Sequence, residues 1–285
     1  MKKKIISVIV GVAGLAAAYF VVSGISHIVY NRPVDNAATE STAETTEQGT
    51  EEAKAAMTED EINEMLSGMK ATETAETVTE EQSEVIPVKF EELQAVNPDV
   101  YAWITVPGTD IDYPILQHAS DNTYYLMHNI DGSYGYPGCI YTENMNSKDF
   151  TDNNTVIYGH NMKNGSMFAQ LHKFEDPDFF KENREVLIYL PDEVLHYTIF
   201  AAHIYDDRHL LYSFDFADPD VYQKYLDSVF NIRDMSANID KDMTVTKDDQ
   251  IITLVTCIGS QPNNRLLVQA VLTDREAGTE AENAE

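Results

Sequence analysis

Cysteine is nearly absent from this chain: Cys139 and Cys257 are the only two, 118 positions apart. Two cysteines so spaced build no disulfide framework, and without a CxxC pair a structural zinc site has no ligands to start from. No stretch has EF-hand spacing despite the many carboxylates, so neither a metal nor a cofactor is expected. Basic residues are scarce as well. Lys and Arg number 19 against 48 Asp and Glu, a formal net charge of −29. That excludes a nucleic-acid partner, because phosphate binding needs clustered cations. The imbalance is concentrated between Asp35 and Glu84, with 15 acidic and 2 basic residues. Aromatic residues are missing altogether from 33 to 86. Such a segment buries too little apolar surface to offset its ordering entropy, so most of it reads as a disordered acidic spacer. One piece carries a helix signature: Thr58 with Glu61 fits a capping box, and Ile62, Met65, Leu66 and Met69 share a face.

Charge of either sign is missing from Ile5 to Asn31. The run "IISVIVGVAGLAAAYFVVSGIS" has 22 residues, whereas about 20 cross a bilayer and a signal peptide needs only about 7–15. "AGLAAA" supplies small residues for cleavage, but the run is too long for a signal peptide. The expectation is an uncleaved anchor over 5–30. Lys2, Lys3 and Lys4 then keep residues 1–4 cytoplasmic by the positive-inside rule. The protein is expected to be single-pass in the cell membrane, with everything after Arg32 outside. The spacer fills 31–86, a folded domain 87–274 and a polar tail 275–285.

Within the folded part, "KFEELQAVNPDVYAWITVPGT" reads as a short helix stopped near Asn97-Pro98, then a strand. Further strands are expected at 113–117, 138–142, 154–159, 185–190, 194–205, 251–257 and 266–272 from alternation and β-branched or aromatic content. Helices fit 165–173, 177–183 and 218–232, the last with Asp218 as N-cap, Pro219 in the first turn and an apolar stripe from Val221 to Val229. Eight short strands with few helices give an α+β domain dominated by β, a closed or nearly closed barrel.

The chemistry centres on "TLVTCIGSQPNNR", residues 253–265. A cysteine nucleophile needs a group that lowers its pKa or takes its proton, and histidine is the usual one. Of eight histidines, His27 lies in the apolar run. His172, His196 and His203 sit inside helix or strand patterns and read as packing or surface residues. His160 stands where "NTVIYG" runs into the polar turn "HNMKNG", and Cys257 likewise ends a strand. Strand ends bordering loops are where a scaffold presents reactive groups. Arg265 opens the next strand. It is either an ordinary surface arginine or a rigid, permanently charged donor for an oxyanion. Taken alone, these residues read more simply as a buried strand with an odd thiol.

"TLVTC", "YGHNM" around His160 and Arg265 in this order resemble the signature of sortases, the cysteine transpeptidases of Gram-positive cell walls. The resemblance runs from about Phe90 to Thr273 and includes "DYPILQ", "DNTYYLMHN" and "GCIY". It is most like class B, which carries an extra helix between the sixth and seventh strands, where 218–232 falls, and a helical stretch before the barrel. Class C relatives usually add a lid and a C-terminal membrane segment, and no second apolar run follows Arg275. The resemblance implies an eight-stranded sortase-type barrel. It implies Cys257 as nucleophile, His160 as acid and base, and Arg265 as holder of the oxyanion. Asn122, Leu126, Tyr158 and Thr256 match positions near the substrate groove. The implied partners are surface proteins carrying a sorting signal and an amine of lipid II or peptidoglycan. Three positions depart from the pattern: Val255 where many class B members have Ser, Gly259 where an acidic residue is common, and Cys139 where relatives often have Ser. Two other readings compete. A papain-like cell-wall cysteine hydrolase places Cys before His, the reverse of the order here, and a chymotrypsin-like one sets its Cys in a Gly-x-Cys-Gly loop. A non-catalytic surface-binding barrel would leave Cys257 inert.

Overall fold

The structure, a computed structural model, describes residues 57–70 and 84–280. It begins with α1 (Glu59–Gly68), whose N-cap Thr58 makes both halves of the expected capping box. Its Ile62 and Leu66 are buried among barrel residues. There follow β1 (Glu84–Ile86), α2 (Phe90–Val96), β2 (Val100–Val106), β3 (Ile111–Leu116), β4 (Ile140–Thr142) and β5 (Asn154–Tyr158). A 3-10 helix over Phe168–Glu175 leads to α3 (Pro177–Glu182), β6 (Glu185–Tyr189) and β7 (Glu193–Asp206). The chain finishes with α4 (Leu210–Ser213), α5 (Pro219–Phe230), β8 (Asn238–Ile239), β9 (Ile251–Ile258) and β10 (Gln261–Glu280).

Eight of these strands close on themselves in the order β10-β9-β5-β4-β3-β2-β6-β7, with β7 pairing back onto β10. The expected eight-stranded barrel is therefore the fold, and α5 falls between its sixth and seventh members, β7 and β9. Closure leaves no long free edge; β1 and β8 are short additions on β10 and β7. Alternation sorts the strands into two faces. Ile104, Ile157, Leu254 and Val268 point into the barrel with Phe168, Leu171 and Phe174 of the 3-10 helix. Val156, Val255 and Leu267 point outward and are covered by Tyr222, Tyr225, Leu226 and Val229 of α5. Asp218 caps that helix through the Asp220 and Val221 N–H groups, with Pro219 at its start, as its sequence implies. On another outward face, Trp103 and Leu116 lie under α1 and α2.

Two boundaries differ from the sequence reading. α1 belongs to the folded body although it lies within the acidic stretch. β10 continues to Glu280, past Asp274, because β7 pairs with it as far as Ala277 and β1 with Gly278–Glu280. The membrane expectation is also corrected. No helix among the described residues is long and apolar enough to cross a membrane; α5, at 12 residues, falls short of the ~20 needed. The stretch 5–30 lies outside the described residues, as do 1–4, 31–56, 71–83 and the end of the tail.

Candidate active site

β9 lies between β5, parallel to it, and β10, antiparallel. Tyr158, Val255 and Leu267 stand in one row across the three strands. The Gly159 N–H donates to Val255 O at 3.1 Å and carries the β5–β9 ladder one residue further. One step further along the same outward face Cys257 stands directly opposite Arg265, and His160 follows two residues after Tyr158, just past the end of β5. Neighbouring strands are ~4.8 Å apart, so register sets Cys257 beside Arg265, and the parallel β5–β9 pairing brings the chain bearing His160 to the same barrel end. Since Val255 directs its backbone groups toward β5, Cys257 and Arg265 form a non-hydrogen-bonded pair, in which side chains approach closely. Cys257 is exposed and unbridged.

Each of the three is fixed by its surroundings. The His160 ring lies 2.7 Å through Nε2 from Leu126 O. A carbonyl only accepts, so Nε2 carries the hydrogen and Nδ1 is the nitrogen left for proton exchange. The Tyr136 ring meets the imidazole edge-on with centroids 5.2 Å apart. The Arg265 guanidinium donates through Nη1 to Pro262 O and Asn264 O, both at 2.9 Å, inside the irregular segment between Gln261 and Arg265. This segment, unmatched in the sequence reading, is what turns the guanidinium. Gly159 stands where a Cβ would lie 2.6 Å from the Phe168 ring, so the strand end passes too close to the plug for any side chain.

The remaining expected site residues separate. Leu126 is 37% exposed and supplies the His160 acceptor from its own backbone. Tyr158 is half-buried on the row next to Cys257, stacked on Tyr141, with its hydroxyl 3.5 Å from His209 Nε2. His209, N-cap of α4, is 2.8 Å from Glu143 Oε1 in a pair with both side chains only 9% exposed. Glu143 Oε2 has no hydrogen-bond partner. Asn122 accepts the Asn144 N–H at 2.9 Å beside that pair, so it joins the same wall as Tyr158. Thr256 requires correction. It is 1% exposed and its hydroxyl donates to Gly159 O at 2.9 Å. Alternation turns it away from Cys257, and it ties β9 to the strand end bearing His160 instead of facing a groove. Cys139 is buried, which pushes its thiol well above the ordinary range, the Asp131 charge adding to the effect.

Two residues that the sequence reading passed over lie against Cys257. Asn161 Nδ2 donates to Cys257 O at 2.9 Å, and His172 Nε2 is 3.1 Å from the same oxygen. His172, read as packing or surface, instead sits on the 3-10 helix with its ring turned to the site. Its period in the sequence gives no sign of this; the only cue to Asn161 is its place next to His160. Among the described residues no group of three or more His, Cys, Asp or Glu is arranged to hold a metal ion.

An eight-stranded closed barrel with an exposed thiol at the end of β9, opposite an arginine on β10, is an arrangement suited to cysteine acyl-transfer chemistry. Comparison makes the assignment specific. The Sortase domain family model matches residues 104–273. Sortase B of Listeria monocytogenes is 32% identical over 215 residues, covering 74% of this chain and 85% of that protein. Sortase B of Staphylococcus aureus is 27% identical over 195 residues, covering 68% and 78%. The X-ray structure of Clostridium perfringens sortase B superposes with a TM-score of 0.59 at 32% identity, covering 65% of this chain and all of that one. The chain belongs to the sortase family and is of the class B type. Sortases act on surface proteins with sorting signals and on cell-wall amine acceptors.

Proposed function

We propose that this sortase cleaves a C-terminal sorting signal of the LPxTG or NPxTN type after its Thr and joins the Thr carbonyl to an amine of lipid II or peptidoglycan. Cys257 Sγ attacks the Thr carbonyl carbon as its thiol proton passes to His160 Nδ1, and the C=O electrons move onto oxygen. Arg265 holds that oxyanion through Nε and Nη2, since Nη1 is committed to Pro262 and Asn264, together with a backbone N–H beside Cys257. As the C–N bond breaks, the His160 imidazolium gives its Nδ1 proton to the leaving amine, which yields a thioester on Cys257. The acceptor amine then attacks the thioester, His160 takes its proton, and collapse forms the new amide and frees Cys257. Water in place of the amine gives slow hydrolysis. Asn122, Leu126 and Tyr158 line the signal's path on this reading.

The observation carrying the reading is that Cys257 faces Arg265 across β9 and β10 while His160 follows the end of β5, the neighbour of β9, at the same barrel end. The test offers the purified chain a panel of fluorogenic sorting peptides with and without an amine nucleophile. Cleavage at Thr, with amide product only when the amine is present and none from Cys257→Ala, is expected. Equal cleavage by Cys257→Ala, or no peptide cut at Thr, overturns the reading in favour of a binding barrel; hydrolysis that amine never diverts points to a cell-wall hydrolase.

A further inference from the structure

β5 ends at Tyr158, and its chain parts from β9 after Gly159. Val255 O points toward β5, so two residues on the Cys257 carbonyl points the same way, into a gap where no strand remains. A backbone carbonyl so placed needs another donor. Two side chains supply it: Asn161 Nδ2 at 2.9 Å and His172 Nε2 at 3.1 Å. They lie 3.0 Å from each other, and His172 Nδ1 is 2.7 Å from Glu175 Oε2. A carboxylate only accepts, so Nδ1 carries a hydrogen. With a neutral ring, Nε2 accepts from Asn161 Nδ2, whose second hydrogen goes to Cys257 O. With an imidazolium, Nε2–H reaches that oxygen directly. In both states the carbonyl keeps a donor. The helix that carries His172 is itself immobilised by Phe168, Leu171 and Phe174 in the barrel interior.

We propose that Asn161, His172 and Glu175 are positioning residues that hold the Cys257–Ile258 peptide plane in place of the missing strand. The peptide is planar. Fixing its carbonyl on the β5 side therefore also fixes the Ile258 N–H on the opposite edge, the side of Arg265, and sets the direction of the Cys257 side chain. None of the three touches a reacting atom. The inference rests on Cys257 being the nucleophile.

The experiment compares Asn161→Asp, His172→Phe and His172→Gln with the parent in the whole chain. Each is measured for kcat and KM on a cleaved sorting peptide, for alkylation of Cys257 by iodoacetamide, and for melting temperature. Asn161→Asp sets an acceptor against the carbonyl at unchanged size. Loss of a hydrogen bond that orients a reactive group costs ~10–100-fold, so kcat should fall by that factor in Asn161→Asp and His172→Phe, with KM unchanged. Glutamine keeps an amide donor, and His172→Gln should recover most of kcat. Alkylation uses the thiol but no oxyanion, and should hardly change. A parental kcat in both Asn161→Asp and His172→Phe overturns the proposal, as does a loss confined to KM or an equal fall in alkylation. A parent that forms no acyl-enzyme fails the nucleophile reading instead, a result visible before any variant is made. Should Asn161→Asp not fold, the His172 pair decides.

Discussion

Helix α1 offers the sharpest test of how the barrel and its site are coupled. At 10 residues it is shorter than the ~12–15 an isolated helix needs to persist in water, so docking is what orders it. Ile62 and Leu66, each 6% exposed, make the apolar part of that dock. Truncating a buried Leu or Ile to Ala costs ~2–5 kcal/mol. An open pocket of about 280 Å³ bordered by Leu66, Ser67, Lys70, Trp103, Asp112 and Tyr113 flanks one side of the helix. That puts the Leu66 change near the low end, ~2 kcal/mol, and the pair near ~3–4 kcal/mol, because residues one turn apart share partners and do not add fully. A loss of that size rivals what holds the helix, so Ile62→Ala with Leu66→Ala should release α1 and leave the barrel folded. Its Glu59 accepts from Asn164 Nδ2 at 3.0 Å and from Ser166 Oγ, both on the loop leading away from His160. Release should therefore lower kcat too. Hydrogen exchange reads the α1 amides directly, thermal denaturation reads the stability, and peptide turnover reads the loop. At ~2–4 °C per kcal/mol for a domain of this size, melting should fall by ~6–16 °C at most. Parental protection of the α1 amides with unchanged melting refutes the docking argument. Exposed amides with parental kcat refute the link through Glu59.

The other predictions concern single positions. Arg265→Lys replaces a planar fork by one ammonium that cannot both satisfy Pro262 and Asn264 and meet an oxyanion; kcat should drop ~10²–10³-fold, and near-parental turnover would count against the oxyanion role. Gly138 has φ +69° and a Cβ there would sit 2.8 Å from Leu126 O, the atom that holds His160. Gly138→Ala should cost at least ~1–2 kcal/mol from the left-handed backbone alone and should depress peptide turnover further; a change in melting temperature with kcat intact would break that connection. Burial of His203, outweighing its hydrogen bonds to Ile204 and Gln269, holds its imidazole below the ordinary histidine range. The unfolded chain then binds the proton that the folded one refuses, so this residue costs stability as pH falls below ~6.5 and nothing above it. His203→Gln should flatten the acid-side decline by up to ~1.4 kcal/mol per pH unit, checked by urea melts at neutral and mildly acid pH; identical slopes in the two chains would contradict it.

What could be read from the sequence is what depends on local period. "TLVTC" leading to a strand end, Arg265 opening the next strand and the capped α5 all follow from residues within one element or one hairpin. The barrel followed from the number and spacing of its strands. The same alternation places Thr256: if Cys257 faces out, Thr256 faces in, and its hydroxyl donates to the Gly159 carbonyl. β10 beyond Asp274 was missed for a different reason. "DREAGTE" has no apolar period, because that end of the strand is held by β7 and β1 through backbone pairing while its side chains are largely solvent-exposed. For α1 the helix was legible and its dock was not, since an amphipathic stripe shows that a face will be buried without naming its partner.

The support of Cys257 was the least legible part, and the reason is geometric. His172 is 85 residues from Cys257 in sequence and Asn161 is 96, and neither lies on the row that holds the thiol. They matter because β5 stops one row short of Cys257, which strands a carbonyl that a full-length neighbour would have paired. A sequence shows where a strand's apolar pattern ends, but the consequence falls on the strand beside it, whose identity depends on the parallel β5–β9 pairing. Once that pairing is known, the missing partner can be deduced before any side chain is inspected. In a parallel pair where one strand stops short, the longer strand's exposed carbonyls need donors from whatever the shorter strand turns into. Here it turns into the polar loop "HNMKNG" and the 3-10 helix, and these return an amide and an imidazole to the gap.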